Sequence, residues 1–117
     1  MPKRKFLGEF EQVVLLAVAQ MRGAGYGTAL RRDIRERCGR SATIGAIYAT
    51  LERLEAKGFV TSREGESTGE RGGRSRRYFS LSESGTDALR RSRDMLDSMW
   101  DGLDLDAPAD SEGLEVA

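Results

Sequence analysis

Arg71, Arg74, Arg76 and Arg77 are interleaved with Gly72, Gly73 and Ser75, downstream of a helical stretch whose outer face carries mostly small side chains. A guanidinium forks onto phosphate oxygens, and neighbouring glycines let a backbone come close to a ligand. The chemistry on offer is therefore recognition of a polyanion. Bond-breaking chemistry lacks its parts: the chain has no histidine and a single cysteine, Cys38. Histidine-based acid/base dyads, the common zinc ligand sets and an internal disulfide are all ruled out. Cys38 is expected on the apolar stripe of a helix, with no histidine to activate it as a nucleophile. Gly72-Gly73 lacks the Gly-Lys-Ser/Thr ending of a phosphate-binding loop. No enzyme activity, metal or cofactor is expected.

Charge supports the same partner class. The formal net charge of the 117 residues is zero, yet residues 1–81 carry 16 Lys/Arg against 9 Asp/Glu while residues 82–117 carry 3 against 10. A basic body joined to an acidic end suits a surface made for polyanions. An apolar content of 38% supports one modest core. No uninterrupted apolar run is long enough to cross a bilayer, and the start Met1-Pro2-Lys3-Arg4-Lys5 lacks the apolar centre of a secretory signal, so a cytoplasmic location is expected and no membrane partner.

The elements that would position these residues follow from periodicity. Phe6, Phe10, Val13, Leu16, Ala17 and Met21 recur at helical spacing and predict a first helix over 6–21, broken by Gly23-Ala24-Gly25. Its run from Val13 to Val18 is apolar on nearly every side, so one flank is expected to meet a partner subunit. A second helix is expected over 26–38, with Tyr26, Leu30, Ile34 and Cys38 on one stripe, and a third over 43–57, closed by Gly58. The turn Gly39-Arg40-Ser41-Ala42 between them has the length of a helix-turn-helix connection. Two strands at 59–63 and 76–81, joined by a glycine-rich loop, read as a hairpin. Ser82 can cap a last helix running to about 102. The fold class is thus mainly α with a small β-hairpin: a winged helix-turn-helix domain over 1–81, a C-terminal dimerisation helix over 82–103, and an acidic disordered tail over 104–117.

On a wheel of about 100° per residue, Ile44, Ile47, Leu51 and Leu54 of the third helix share one arc, and Gly45, Ala46, Ala49 and Arg53 lie opposite. Such a helix can enter a major groove, with Ser41, Thr43, Thr50 and Tyr48 placed to hydrogen-bond to bases or phosphates. Arg71, Arg74 and Arg76 are expected on the wing, with Lys3 and Lys5 as an N-terminal arm. Each residue alone has a plainer reading as spacer, cap or core; their combination favours double-stranded DNA. The alternative is a winged-helix module that docks a protein and never binds DNA, which calls for an aromatic or aliphatic anchor on the outer face.

Along the last helix, Leu89, Ser92, Leu96, Met99 and Leu103 recur at spacings of three and four, flanked by Met95 and Trp100. A homodimer is the expected cover for that stripe, with Phe10 and Val14 of the first helix added to the interface. Met95, Met99 and Trp100 admit a second reading as a pocket for an apolar or aromatic small-molecule effector, because thioethers adapt to shape and indole offers a stacking face.

Four blocks carry a family resemblance: Leu7-Gly8-Glu9-Phe10-Glu11-Gln12, Gly25-Tyr26-Gly27, the run 44–58 that opens Ile44-Gly45-Ala46-Ile47-Tyr48, and Arg76-Arg77-Tyr78-Phe79-Ser80-Leu81-Ser82-Glu83-Ser84-Gly85. In this order, over residues 6 to about 101, they resemble the PadR family of transcriptional regulators, in its short form with one C-terminal helix. The resemblance implies a bacterial winged-helix repressor, nucleoid-associated when bound, acting as a homodimer on a palindromic operator. By the same resemblance, Tyr48 and its neighbours read DNA and Arg74 and Arg76 belong to the wing. Many relatives carry proline near Ala49, and the acidic tail matches no family block.

Overall fold

A computed structural model of the chain describes residues 6–67 and 75–108. Its elements run α1 (Glu9–Met21), α2 (Gly27–Cys38), α3 (Ile44–Ala56), β1 (Val60–Ser67), β2 (Ser75–Leu81) and α4 (Glu83–Trp100). This is the helix-rich architecture with one antiparallel hairpin that the periodicity predicts. The expected contacts at Lys3, Lys5, Arg71 and Arg74, and most of the expected tail, lie outside the described residues.

Helix α1 begins at Glu9 rather than Phe6, because Gly8 takes the extended N-cap conformation and its amide donates to Glu11 Oε1 at 2.9 Å. That reciprocal bond is half of a capping box. Phe6 is left exposed while Leu7 is buried beneath the helix start. One core then gathers Val14, Leu15 and Val18 of α1, Leu30 and Ile34 of α2, Ile47, Leu51 and Leu54 of α3, and Phe59, Val60 and Phe79 of the hairpin. Two sequence expectations fail at helix ends. Ile44, in the first turn of α3, projects past the core and is exposed. Cys38, in the last turn of α2, is likewise exposed, its thiol donating to the Ile34 carbonyl at 3.2 Å.

The turn from α2 to α3 is fixed by Arg31, whose Nε donates to the Ala42 carbonyl at 2.8 Å. In the hairpin Val60 pairs with Leu81 and Arg63 with Tyr78, and the register shifts between Glu64 and Ser67. The strands extend beyond the expected 59–63 and 76–81. The Phe79 amide also donates to the Gly25 carbonyl at 2.8 Å, so the segment before α2 adds a one-residue bridge to the free edge of β2.

Ser82 caps α4 as expected: its Oγ accepts from the Gly85 amide at 3.0 Å and donates to the Gly58 carbonyl at 2.6 Å. The Ser82 amide donates to the Phe59 carbonyl at 3.0 Å. The start of α4 is thereby pressed into the corner between α3 and β1. A Cβ at Gly85 would overlap the Phe59 carbonyl oxygen and lie 2.8 Å from Leu81 Cδ1. Gly85, Ala88 and Ser92 make the buried stripe of α4, and every residue from Arg93 to Trp100 is exposed. The helix therefore overhangs the domain. Overpacking a tight contact costs about 1–3 kcal/mol, so Gly85→Ala is expected to lower the urea midpoint with little change in m; an unchanged midpoint would show that this corner tolerates a methyl group.

Candidate nucleic-acid interface

The stripe Ile47, Leu51 and Leu54 is completely buried, which turns Gly45, Ala46 and Ala49 outward to solvent. Ser41 and Thr43 are exposed at the entrance of α3, and Thr43 Oγ1 accepts from the Ala46 amide at 3.0 Å as the N-cap. Tyr48 stands at the edge of this bare face. Its ring lies over Gly27, where a Cβ would come within 2.5 Å of Cζ and 2.6 Å of the hydroxyl oxygen. The glycine that opens α2 thus makes room for the phenol of α3.

Two expected contacts sit elsewhere. Thr50 is only 2% exposed, lies on the core side of the arc, and its hydroxyl accepts from Arg53 Nη2 at 3.2 Å, so it does not face out with Gly45 and Ala49. Arg53 keeps 56% of its side chain exposed but leans toward α1, with Nε 3.6 Å from Glu11 Oε2. It is a rim residue.

On the hairpin, side chains alternate in direction, so Arg76 and Tyr78 share one face and Arg77 and Phe79 the other. The Arg76 guanidinium lies 4.4 Å from the Tyr26 ring centroid. Tyr26 meets Tyr78 edge-on, with centroids 5.8 Å apart and planes at 78°. The Arg63 guanidinium stacks on Tyr78 at 4.8 Å and donates to the Gly23 carbonyl at 3.2 Å. Arg77, on the opposite face, is committed to α3: Nη2 reaches Glu55 Oε1 at 2.7 Å and Nε donates to Ser62 Oγ at 3.1 Å. Tyr26, expected on the apolar stripe of α2, is its N-cap instead; Tyr78 and Arg63 carry no expected role in binding, and the signals near these rings are the blocks Gly25-Tyr26-Gly27 and Arg76 to Gly85.

Glu11 locks α1 to α3. It is buried, and its carboxylate accepts from Gly8 and from Lys57 Nζ at 2.9 Å. Burial alone would raise its pKa; the Gly8 amide, the Lys57 ammonium and the Arg53 guanidinium together outweigh that and hold it below the ordinary 4.5.

The overhanging half of α4 and the outer edge of α1 border an open apolar groove of about 460 Å³, lined by Leu16, Leu89, Leu96 and Trp100 with Gln12, Arg90, Arg93 and Asp97 on its rims. Leu16 is 49% and Trp100 56% exposed. Several residues expected on a dimer face are not available to one. Val14 is wholly buried in the core of its own chain, and Ser92 is buried with Ala88 where α4 rests on the domain. Phe10 is half-buried, with the Arg40 guanidinium 5.0 Å from its ring. Leu96, Met99 and Leu103 are exposed. The expected effector trio is not assembled within one chain: Trp100 lines the groove, whereas Met95 and Met99, the latter 74% exposed, do not.

Among the described residues no cluster of acidic or cysteine side chains could hold a metal, and no helix is long and apolar enough to cross a membrane. Residues 15–91 match the sequence model of the transcriptional regulator PadR-like family. No curated protein matches the chain. Solved structures with the same fold include a PadR family transcription regulator of hypervirulent Clostridium difficile R20291, 21% identical over 77% of this chain and 90% of that one, with a TM-score of 0.64. A PadR family transcriptional regulator from Eggerthella lenta DSM 2243 is 25% identical over 80% of this chain and 81% of its own, with a TM-score of 0.63. A PadR-like transcriptional regulator from Bacillus cereus strain ATCC 14579 is 20% identical over 85% and 93% of the two chains, with a TM-score of 0.64.

Because the folded pKa of Glu11 lies below its unfolded value, the stability it contributes is full above about pH 4.5 and is lost as pH falls through the folded value. Glu11→Gln is expected to cost about 1–3 kcal/mol at neutral pH, and the gap to the parent should be smaller in acid, well below pH 4.5. A gap of equal size at both pH values, in denaturant titrations, would contradict this assignment.

Proposed function

Since the chain belongs to the PadR-like family of transcriptional regulators, and is on that ground a DNA-binding regulator of transcription, we propose that two copies pair and repress transcription from a palindromic operator. The observation that carries the reading is the bare outward face of α3, Gly45, Ala46 and Ala49, set beside Tyr48 and the wing. Small side chains let the helix backbone approach base edges, while Ser41, Thr43 and the Tyr48 hydroxyl serve bases or phosphates along its flank. Arg76 and, from segments beyond the described residues, Lys3, Lys5, Arg71 and Arg74 supply charge to the phosphates; Arg53 contributes from the rim. A protein-docking surface would draw on the exposed Ile44 and Tyr48 as anchors, but the outward arc of α3 itself, Gly45, Ala46 and Ala49, carries no large apolar side chain.

Residues 1–81 act as the DNA-binding unit and 82–103 as the pairing helix. Leu96, Met99, Trp100 and Leu103 leave an apolar overhang that its own domain does not cover, and a second copy related by a twofold axis covers it with the same surface. Two recognition helices then meet successive major grooves about 34–36 Å apart. The groove between α1 and α4 suits a flat apolar or aromatic effector, with Trp100 as its stacking face. Such a molecule releases DNA only if it prefers one arrangement of the pair over another.

Two substitutions test these halves separately. Arg76→Ala is expected to weaken binding to every duplex to a similar degree and to reduce the slope of log K against log salt by about 0.9; an unchanged slope removes Arg76 from the phosphate contacts. Leu96→Glu is expected to give monomers by light scattering, and a mass still equal to the parent dimer would refute the pairing face.

A further inference from the structure

We infer that Tyr26 is a positioning residue for DNA binding: its ring holds the Arg76 guanidinium ready for phosphate and ties the wing to the recognition helix. The inference rests on the DNA-binding reading above and adds to it a residue with no assigned role. Tyr26 occupies the N-cap of α2, with extended backbone and no side-chain hydrogen bond to the first turn. Helices favour serine, threonine, aspartate or asparagine there, and an aromatic residue forgoes that stabilisation. The ring therefore serves something other than α2.

The surroundings show what it serves. The bond from the Phe79 amide to the Gly25 carbonyl brings the segment before α2 alongside β2, and Tyr26 meets the β2 face that carries Arg76 and Tyr78. The order Arg76, Tyr26, Tyr78, Arg63 makes a continuous ladder of cation and ring, with Arg63 stacked on its cross-strand partner. The next residue, Gly27, lies under the Tyr48 ring, so the ladder reaches the edge of α3. Stacking engages the face of a guanidinium and leaves hydrogen bonding to its in-plane N–H groups. One arginine can thus lie on a tyrosine and present its edge to a phosphate. An arginine held before DNA arrives loses less side-chain freedom on binding.

The test combines spectroscopy with binding to a pool of random-sequence 30-base-pair duplexes. In the free parent protein, the δ-methylene protons of Arg76 should show an upfield ring-current shift that persists in Tyr26→Phe and disappears in Tyr26→Leu. Duplex affinity should fall about two- to fivefold in Tyr26→Leu, the range of an exposed cation–π contact, and stay at the parent value in Tyr26→Phe. Arg76→Ala should then cost less in the Tyr26→Leu background than alone, as expected of coupled residues. A Tyr26→Leu protein that melts like the parent and binds like it, or losses that simply multiply, would overturn the positioning role while leaving DNA binding intact. A parent that binds no duplex overturns both. If Tyr26→Leu does not fold, the parent spectrum decides: no upfield shift at Arg76 means no stack and no role.

Discussion

A helix only 13 residues long must bury one stripe in a small core and keep the opposite one bare, and the rest of the molecule is arranged around that division of α3. Ile47, Leu51 and Leu54 are fully removed from water, each a burial of about 1.5–3 kcal/mol. Their rotation sets where Gly45, Ala46 and Ala49 point. A turn of about 65° about the helix axis would bring Glu52 to the centre of the outer face, and one of about 95° the other way would bring Thr50 there. The angle is held at both ends, by Arg31 on the Ala42 carbonyl at the turn and by Lys57 on Glu11 at the C-terminus.

The basic residues divide by what they touch. Arg31, Arg40, Lys57 and Arg77 hold the fold together, bonded to Ala42, Glu9, Glu11 and Glu55. Arg63 and Arg76 lie on tyrosine faces on the hairpin side that meets Tyr26. The charge excess of the first 81 residues therefore overstates what is offered to a ligand: part of it is internal mortar. The overhang of α4 belongs to a separate constraint, since Gly85 and Ser82 fix the direction in which the helix leaves the domain.

The fold was legible because its signals are local. The Thr43 and Ser82 caps, the stripe of α3 and the composition of the hairpin each sit within a few residues of the structure they dictate. The errors fall at helix ends, as with Ile44 and Cys38, and at arc margins: Thr50, Val14 and Ser92 lie where a wheel cannot say which neighbour covers them, and the core claimed all three. Glu11 could have been read as a capping partner of Gly8, but its bond to Lys57 crosses 46 positions. The stacking of Arg76 on Tyr26 spans a similar distance. Contacts between non-periodic segments leave no pattern in the chain, and the two rungs of the ladder that Tyr26 makes, with Arg76 and with Tyr78, are of that kind.

The central claim is that α3 and the wing together read a double-stranded polyanion with twofold symmetry. Its most direct measurement is selection of bound duplexes from a random-sequence pool at physiological salt, followed by sequencing. The account predicts an enriched inverted repeat with half-sites about one helical turn apart. A bound pool no different from the input, or no retention of any duplex even in dilute buffer, would contradict it.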